Sequence, residues 1–181
     1  MTRRALAAVA ATWLAGAFAV VTAQAVQIRV TPLVAGGEVS ASFVAPAAFT
    51  SDAQAVLRSG LLLTFRFTVE LRRPANLWWD RTIREVTAGS SVKFDTLTGA
   101  YHVSRLVDGH VVWSDRTMDL AQVKAWMTTF ERVPLLPATG LEPNVDYYIE
   151  VHLRATPRRT FSIWPWASDD GAGRADFTNI R

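Results

Sequence analysis

The stretch LLLTFRFTVELR, residues 61–72, is the clearest secondary-structure signal in this chain of 181 residues. From residue 63 onward, apolar and polar side chains alternate without a miss. The apolar set is Leu63, Phe65, Phe67, Val69 and Leu71, and the polar set is Thr64, Arg66, Thr68, Glu70 and Arg72. A period of two predicts a β-strand with one face in a core and the other in water.

The same period recurs on both sides of this strand. Residues 26–31 and 39–43 alternate around the turn signal Gly36-Gly37, which predicts a hairpin. Residues 147–154 alternate near the C-terminus, where Tyr147, Ile149, Val151 and Leu153 form the apolar face. Further strands are expected at 81–87, 92–97, 100–107, 161–163 and 176–180, with a turn at Gly89-Ser90-Ser91.

A second hairpin is predicted at Asp108-Gly109, because a two-residue Asp-Gly loop between apolar residues matches the twist of antiparallel strands. The register that this loop sets would place His102 opposite Asp115 and Ser104 opposite Trp113. An exposed pair of this kind on a hairpin is commonly a polar contact.

Two helices are expected among the strands. Ser51 and Gln54 form a capping-box pattern before a short helix near 52–59, which Gly60 ends. An apolar stripe predicts a longer helix at about 118–132, closed by Pro134. With eight or nine short strands and no β-α-β alternation, the chain is expected to be mainly β. The predicted fold is an antiparallel immunoglobulin/fibronectin-like β-sandwich with one inserted α-helix.

The N-terminus has the features of a secretory leader. Arg3 and Arg4 precede an uncharged, Ala-rich stretch, and Ala23-Gln24-Ala25 fits a cleavage site. We therefore expect residues 1–25 to be a signal peptide and residues 26–181 to be a single β-sandwich domain. A retained membrane anchor is the alternative, since the stretch is at the short end of bilayer length. Cleavage would leave no transmembrane segment and an exported, periplasmic or envelope-associated protein.

Composition narrows the classes of partner and chemistry. The chain contains no cysteine, which excludes disulfides, thiolate metal sites and thiol nucleophiles. Its formal net charge of +3 falls to +1 without Arg3 and Arg4, so no nucleic-acid partner is expected. None of the common nucleotide-binding, hydrolase or zinc-protease motifs occurs. We therefore expect a protein that is not an enzyme and that needs no cofactor.

Two resemblances extend this interpretation. The segment LEPNVDY, residues 141–147, resembles the tyrosine-corner signature of fibronectin type III sandwiches. That resemblance implies that Tyr147 is the corner residue and Leu141 its packing partner. It supports the architecture and no particular activity.

A longer resemblance runs from the mature start to the C-terminus. It includes the run into the long strand, the segment Leu77-Trp78-Trp79-Asp80, the closing FSIWPW at 161–166 and the segment Asp176-Phe177-Thr178. These features resemble the DUF4390 family of exported bacterial proteins. Genes of that family lie near a sensor kinase of the nitrogen-regulation type, so the resemblance implies a role in envelope signalling.

Candidate binding residues centre on the tryptophans at predicted strand ends, which can plug the sandwich or form an exposed platform. They are Trp78, Trp79, Trp164 and Trp166, together with Asp80 and Arg81. The leading hypothesis is a non-enzymatic binding or accessory protein with an envelope protein partner. The alternative is an extracellular glycan-binding or glycan-cleaving module.

A calcium site is the remaining alternative for the tail of the chain. Asp169 and Asp170 precede a Gly-Ala-Gly segment, and Asp176 would add a third carboxylate if the loop folded back. Calcium takes oxygen ligands from flexible loops of this composition. The two adjacent carboxylates lack the spacing of an EF-hand, so a solvated turn is the competing interpretation.

Overall fold

The computed structural model describes residues 26–75, 79–156 and 171–180. Within these ranges, nine strands and two α-helices follow one another. The strands are β1 (Arg29–Ala35), β2 (Glu38–Val44), β3 (Leu63–Arg73), β4 (Arg81–Asp95), β5 (Ala100–Val107), β6 (His110–Thr117), β7 (Thr129–Pro137), β8 (Val145–Thr156) and β9 (Gly171–Asn179); the helices are α1 (Ser51–Arg58) and α2 (Leu120–Thr128).

The strands form two antiparallel sheets, in the orders β1-β2-β7 and β6-β5-β4-β3-β8-β9. The fold is mainly β and sandwich-like, as the sequence predicts. The apolar face of β3 is buried along its whole length, and its polar face forms part of the outer surface of the larger sheet. Phe67 of β3 meets Phe43 of β2 and Phe130 of β7, with ring centroids 5.0 and 5.1 Å away. These rings join the two sheets at the centre of the core.

The two sheets are also linked at one edge by the start of the chain. Gln27 forms an isolated parallel bridge with Ala172, and the Ile28 amide donates to the Ala172 carbonyl at 3.3 Å. The Gly-Ala-Gly segment permits this approach, because a Cβ at Gly173 would lie 2.1 Å from the Ile28 carbonyl oxygen. The strand expected at 176–180 therefore starts earlier than predicted, since β9 already begins at Gly171.

The longer predicted helix is shorter than expected. Helix α2 ends at Thr128, and the next nine residues form β7 against β2. Phe130, placed on the helical stripe by sequence, instead stacks on Phe43 with centroids 4.8 Å apart. Pro134 and Pro137 are tolerated because β7 is an edge strand. Pairing with β2 therefore overrides the local helical pattern.

The turn expected at Gly89-Ser90-Ser91 is also absent, and these residues continue β4, a strand of fifteen residues. Ser90 is buried, and its hydroxyl donates to the Met127 carbonyl of α2 at 2.9 Å. Because β3 and β5 pair with this segment from both sides, its turn-forming residues adopt the extended conformation.

The second hairpin forms at Asp108-Gly109, but with a different register from the one expected. A bulge between Arg105 and Leu106 in the pairing shifts β6 by one residue, so His102 lies opposite Arg116 and Ser104 opposite Ser114. A bulge places two residues of one strand against one of the other, which the loop sequence does not reveal. The expected pairs of His102 with Asp115 and Ser104 with Trp113 are therefore wrong.

Helix α2 packs against β4 and β5 and leads directly into β7. The guanidinium of Arg105 donates to the Trp126 carbonyl at 3.2 Å and to the Thr129 carbonyl at 2.7 Å. A cation at the C-terminal end of a helix satisfies carbonyl groups that have no partner within the helix. Within the described ranges, no helix is both long and apolar enough to cross a membrane.

Candidate functional site

The connection between β3 and β4, residues 74–80, carries the predicted site residues Trp79 and Asp80. Here it is called the Trp79 loop; residues 76–78, including Trp78, lie outside the described ranges. The side chain of Trp79 is 87% exposed. Its neighbour Asp80 accepts hydrogen bonds from the Ala75 amide at 3.1 Å and from the Tyr148 hydroxyl at 2.6 Å. The carboxylate of Asp80 thus ties both ends of the loop to strand β8.

Tyr148 is the residue of β8 to which Asp80 of the Trp79 loop is bonded. It stands on the polar face of β8, yet it is only 2% exposed, because other side chains cover its ring. The Arg174 guanidinium carbon lies 3.7 Å from the ring centroid, and that of Arg72 lies 5.9 Å away. A guanidinium over an aromatic face is attracted by the electron density of the ring. Tyr148 is thereby held under two cations and bonded to one carboxylate.

The contact between Asp80 and Tyr148 shifts the pKa of both groups. The hydrogen bond from Tyr148, followed by that from the Ala75 amide, lowers the pKa of Asp80 below its ordinary value of 3.8. Burial, followed by the hydrogen bond to Asp80, raises the pKa of Tyr148 above its ordinary value of 10.0. The pair is therefore held as a neutral phenol that donates to an ionised carboxylate.

Ion pairs extend the network across the outer face of the larger sheet. Glu70 and Glu150 lie directly opposite each other on β3 and β8. Arg72 is shared between them, with Nε 3.7 Å from a Glu70 oxygen and Nη1 3.3 Å from a Glu150 oxygen. On the next strand Arg174 pairs with Asp176 at 2.8 Å. The surface beside the Trp79 loop thus carries acidic and basic side chains that form ion pairs with one another.

The other predicted site residues fall into two groups. Arg81 is exposed at the first position of β4, beside Trp79. Asp176 lies in β9 and is paired with Arg174. The residues outside the described ranges are Trp164, Trp166, Asp169 and Asp170. Within those ranges no three acidic, histidine or cysteine side chains are grouped so as to hold a metal ion.

The segment that resembles a tyrosine corner lies just before β8. The Tyr147 hydroxyl accepts a hydrogen bond from the Glu142 amide, five residues upstream, at 3.0 Å. Leu141 and Tyr147 are both buried in the same core cluster. This bond holds the connection between β7 and β8 against the sandwich.

Tyr148 and Arg174 were not among the residues that the sequence pattern predicted for this site. The alternation of β8 did contain one signal for Tyr148. An aromatic ring on an otherwise polar face is expected to be buried by neighbouring side chains. Which residues supply that cover depends on the strand order. Arg174 reaches Tyr148 only because β9 pairs with β8 and not with another strand.

A comparison with protein-family models matches residues 22–159 to the domain of unknown function DUF4390. The chain belongs to this family. The DUF4390 match takes in β1–β8 and therefore the Trp79 loop and Tyr148, whereas β9 and Arg174 lie beyond it. Searches of curated proteins and of solved structures find no match.

Proposed function

We propose that this DUF4390 protein is an exported, non-enzymatic binding protein of the bacterial cell envelope that contacts a protein partner through the Trp79 loop. The observation that carries the proposal is the 87% exposure of Trp79 beside an anchored Asp80. Tryptophan and arginine dominate the hot spots of protein interfaces. Trp79 has Arg81 two positions along the chain, and Arg81 is itself exposed.

The anchoring of the loop supports binding because it lowers the entropy cost of association. A side chain presented on a restrained connection loses less conformational freedom when a partner covers it. The two hydrogen bonds of Asp80 supply that restraint on both sides of residues 76–78. The family resemblance makes an envelope signalling protein the expected partner.

The arrangement of the acidic side chains supports binding over glycan cleavage. A glycosidase needs two carboxyl groups about 5–9.5 Å apart on either side of the scissile bond. Glu70 and Glu150 lie side by side on the outer face of the sheet, and Arg72 engages both. Both carboxylates therefore face the same side of the sheet and share one guanidinium, which is not the arrangement of two groups on either side of a scissile bond.

A glycan is the second candidate ligand, and the exposed indole favours it as well. A flat aromatic side chain in water offers a stacking surface to a sugar ring as readily as to a protein side chain. Arg81 would supply hydrogen-bond donors to sugar hydroxyls beside Trp79. The experiment therefore needs a protein arm and a glycan arm.

The absence of cysteine allows a crosslinker to be placed beside the loop. The Arg81→Cys variant, labelled with a photoactivatable maleimide, is expected to crosslink one envelope protein, which mass spectrometry identifies. The purified partner is then titrated with the parent chain and with Trp79→Ala. We expect Trp79→Ala to weaken binding by about thirtyfold or more, as truncation of a hot spot does.

Matched variants make the result specific to the indole. Trp79→Phe should retain part of the affinity, whereas Val112→Ala, an exposed apolar position on β6, should change it little. Trp166→Ala is titrated in parallel, because Trp166 is another of the predicted platform residues. Unchanged binding by Trp79→Ala would overturn the proposal. Cosedimentation with purified peptidoglycan that depends on Trp79 would favour the glycan instead.

A further inference from the structure

Four large apolar side chains are exposed at the end of the larger sheet where β3 begins. They are Leu61, Leu62, Leu97 and Met118, with exposed fractions of 58%, 57%, 95% and 75%. Three separate connections carry them: the lead into β3, the β4–β5 turn and the link from β6 to α2. This set of four side chains is called the Leu97 end below.

The strand register brings these connections side by side. Leu63 pairs with Val92, so the lead into β3 meets the last residues of β4. Gly60 confirms this contact, because a Cβ there would lie 4.0 Å from the Phe94 carbonyl oxygen. On the other side of the β4–β5 turn, Tyr101 pairs with Thr117, which directly precedes Met118. The Leu97 end is therefore one apolar rim and not four scattered residues.

A row of basic side chains lies next to this rim on the outer face. Lys93 is directly opposite His102, and His102 is directly opposite Arg116. All three are exposed, and none forms an ion pair with another described residue. The Asp95 carboxylate at this end accepts hydrogen bonds inside the turn, from the Leu97 amide at 2.9 Å and the Thr98 hydroxyl at 2.8 Å.

The N-terminal segment joins the domain from the same side. Gln27 runs parallel to the first residues of β9, and Gly171 of β9 pairs with Leu153 near the end of β8. Strand β8 ends at Thr156, opposite Thr64 of β3, beside the Leu97 end. Val26, the first described residue, therefore lies towards the same end of the sheet.

We propose that the Leu97 end docks on the surface of a lipid bilayer with anionic headgroups. Apolar side chains that enter the interface, beside basic side chains that meet anionic phosphates, are the combination that binds peripheral proteins to membranes. The rim supplies the first component and the row of Lys93, His102 and Arg116 the second. This surface lies at the opposite end of β3 from the Trp79 loop, so a docked domain keeps Trp79 free for a partner.

The test uses the full chain and its lack of cysteine. Leu97→Cys carries an environment-sensitive fluorophore, and Thr139→Cys, between β7 and β8, carries the same fluorophore as the control at the other end. On vesicles containing phosphatidylglycerol, we expect a blue shift and protection from an aqueous quencher at Leu97 and neither at Thr139. On phosphatidylcholine vesicles, the shift at Leu97 should be smaller.

A charge variant tests the basic row separately from the rim. In the labelled Leu97→Cys background, Arg116→Gln should lower the ratio of docked to undocked domain about fivefold, as expected for one positive charge near an anionic surface. Arg81→Gln removes an equal charge at the opposite end and should leave that ratio unchanged. Because the leader is present in every variant, its own binding to the vesicle does not affect the comparison.

The outcomes separate the possible occupants of the rim. Equal quencher access at Leu97 and Thr139 on vesicle-bound protein would overturn the proposal. A blue shift at Leu97 without vesicles that grows with protein concentration would also overturn it, because it would place a second copy on the rim. Failure of the Trp79→Ala experiment would leave this result unaffected, since the two surfaces are tested by different probes.

Discussion

Tyr148 shows at the residue scale how a contact can contradict the local pattern. The alternation of β8 assigns it to the polar face, and its phenol ring is nevertheless buried. The cover comes from Arg174 on a neighbouring strand, and the hydroxyl donates to Asp80 of the Trp79 loop. These partners lie 26 and 68 residues away in sequence, so no local window contains them.

The Tyr148→Phe variant is expected to release the Trp79 loop without unfolding the sandwich. The ring remains under Arg174, but Asp80 loses its donor at 2.6 Å, so the pKa of Asp80 moves back toward 3.8. Limited proteolysis with trypsin should then cut faster after Arg81, on the C-terminal side of the loop, whereas the Arg73–Pro74 bond on the other side resists trypsin. Tyr101→Phe, at the opposite end of the sheet, serves as the matched control. Unchanged cleavage would show that the hydroxyl does not restrain the loop.

The same contact predicts a dependence of stability on pH. Because the pKa of Asp80 is lowered in the folded state, its contribution is present above pH 3.8 and is lost as the pH falls through the lowered value. Because the pKa of Tyr148 is raised, its contribution is present below pH 10.0 and is lost as the pH rises through the raised value. The free energies of unfolding of the parent and of Tyr148→Phe, measured by urea unfolding, should therefore differ most between these two pH values. If the difference in unfolding free energy did not change with pH, the contact between Tyr148 and Asp80 would not be the source of this stability.

At the scale of elements, the strands with strict alternation were predictable, and those that depend on a partner were not. Strand β3 and the β1–β2 hairpin follow directly from the period of two. Strand β7 does not, because Phe130 fits a helical stripe and is drawn into the sheet by pairing with β2. The Gly-Ala-Gly start of β9 likewise looks like a loop until the N-terminal segment is placed against it.

Replacing Gly173 tests this edge closure. The Gly173→Ala variant places a methyl group 2.1 Å from the Ile28 carbonyl oxygen, so the N-terminal segment has to move away from β9. We expect the free energy of unfolding to fall by about 1–3 kcal/mol, the usual cost of overpacking. Ala172→Ser, at the exposed neighbouring position, should change stability by less than about 0.5 kcal/mol. Equal urea midpoints for Gly173→Ala and the parent would refute the close approach.

At the scale of the whole molecule, stability rests on the core between the two sheets. Without cysteine, no disulfide crosslinks the chain. The core instead contains aromatic residues from both sheets, with Phe43 and Phe130 of the smaller sheet packed on Phe67 of the larger. Most of the folding free energy is therefore expected from apolar burial.

The calcium alternative is tested on the whole molecule. We expect a chelator to leave the melting temperature unchanged, because Gly171 and Gly173 serve the approach of the N-terminal segment and Asp176 is paired with Arg174. Calorimetry with and without added calcium measures this directly. A rise in the melting temperature with calcium, lost in Asp169→Asn or Asp170→Asn, would instead support a metal site at the end of the β8–β9 connection.

The sequence by itself determined the fold class. The alternation of apolar and polar residues within a single segment indicates which side chains face the core, and it requires no information from distant segments. The sequence also singled out Trp79, Asp80 and Arg81, which are conspicuous residue types at a strand end. Only the tertiary structure decided that Asp80 bonds to Tyr148, that Arg174 covers its ring, and that Leu97 joins an apolar rim. The physical reason is that strand order and register set these neighbours, and both result from pairing between segments that are far apart in sequence.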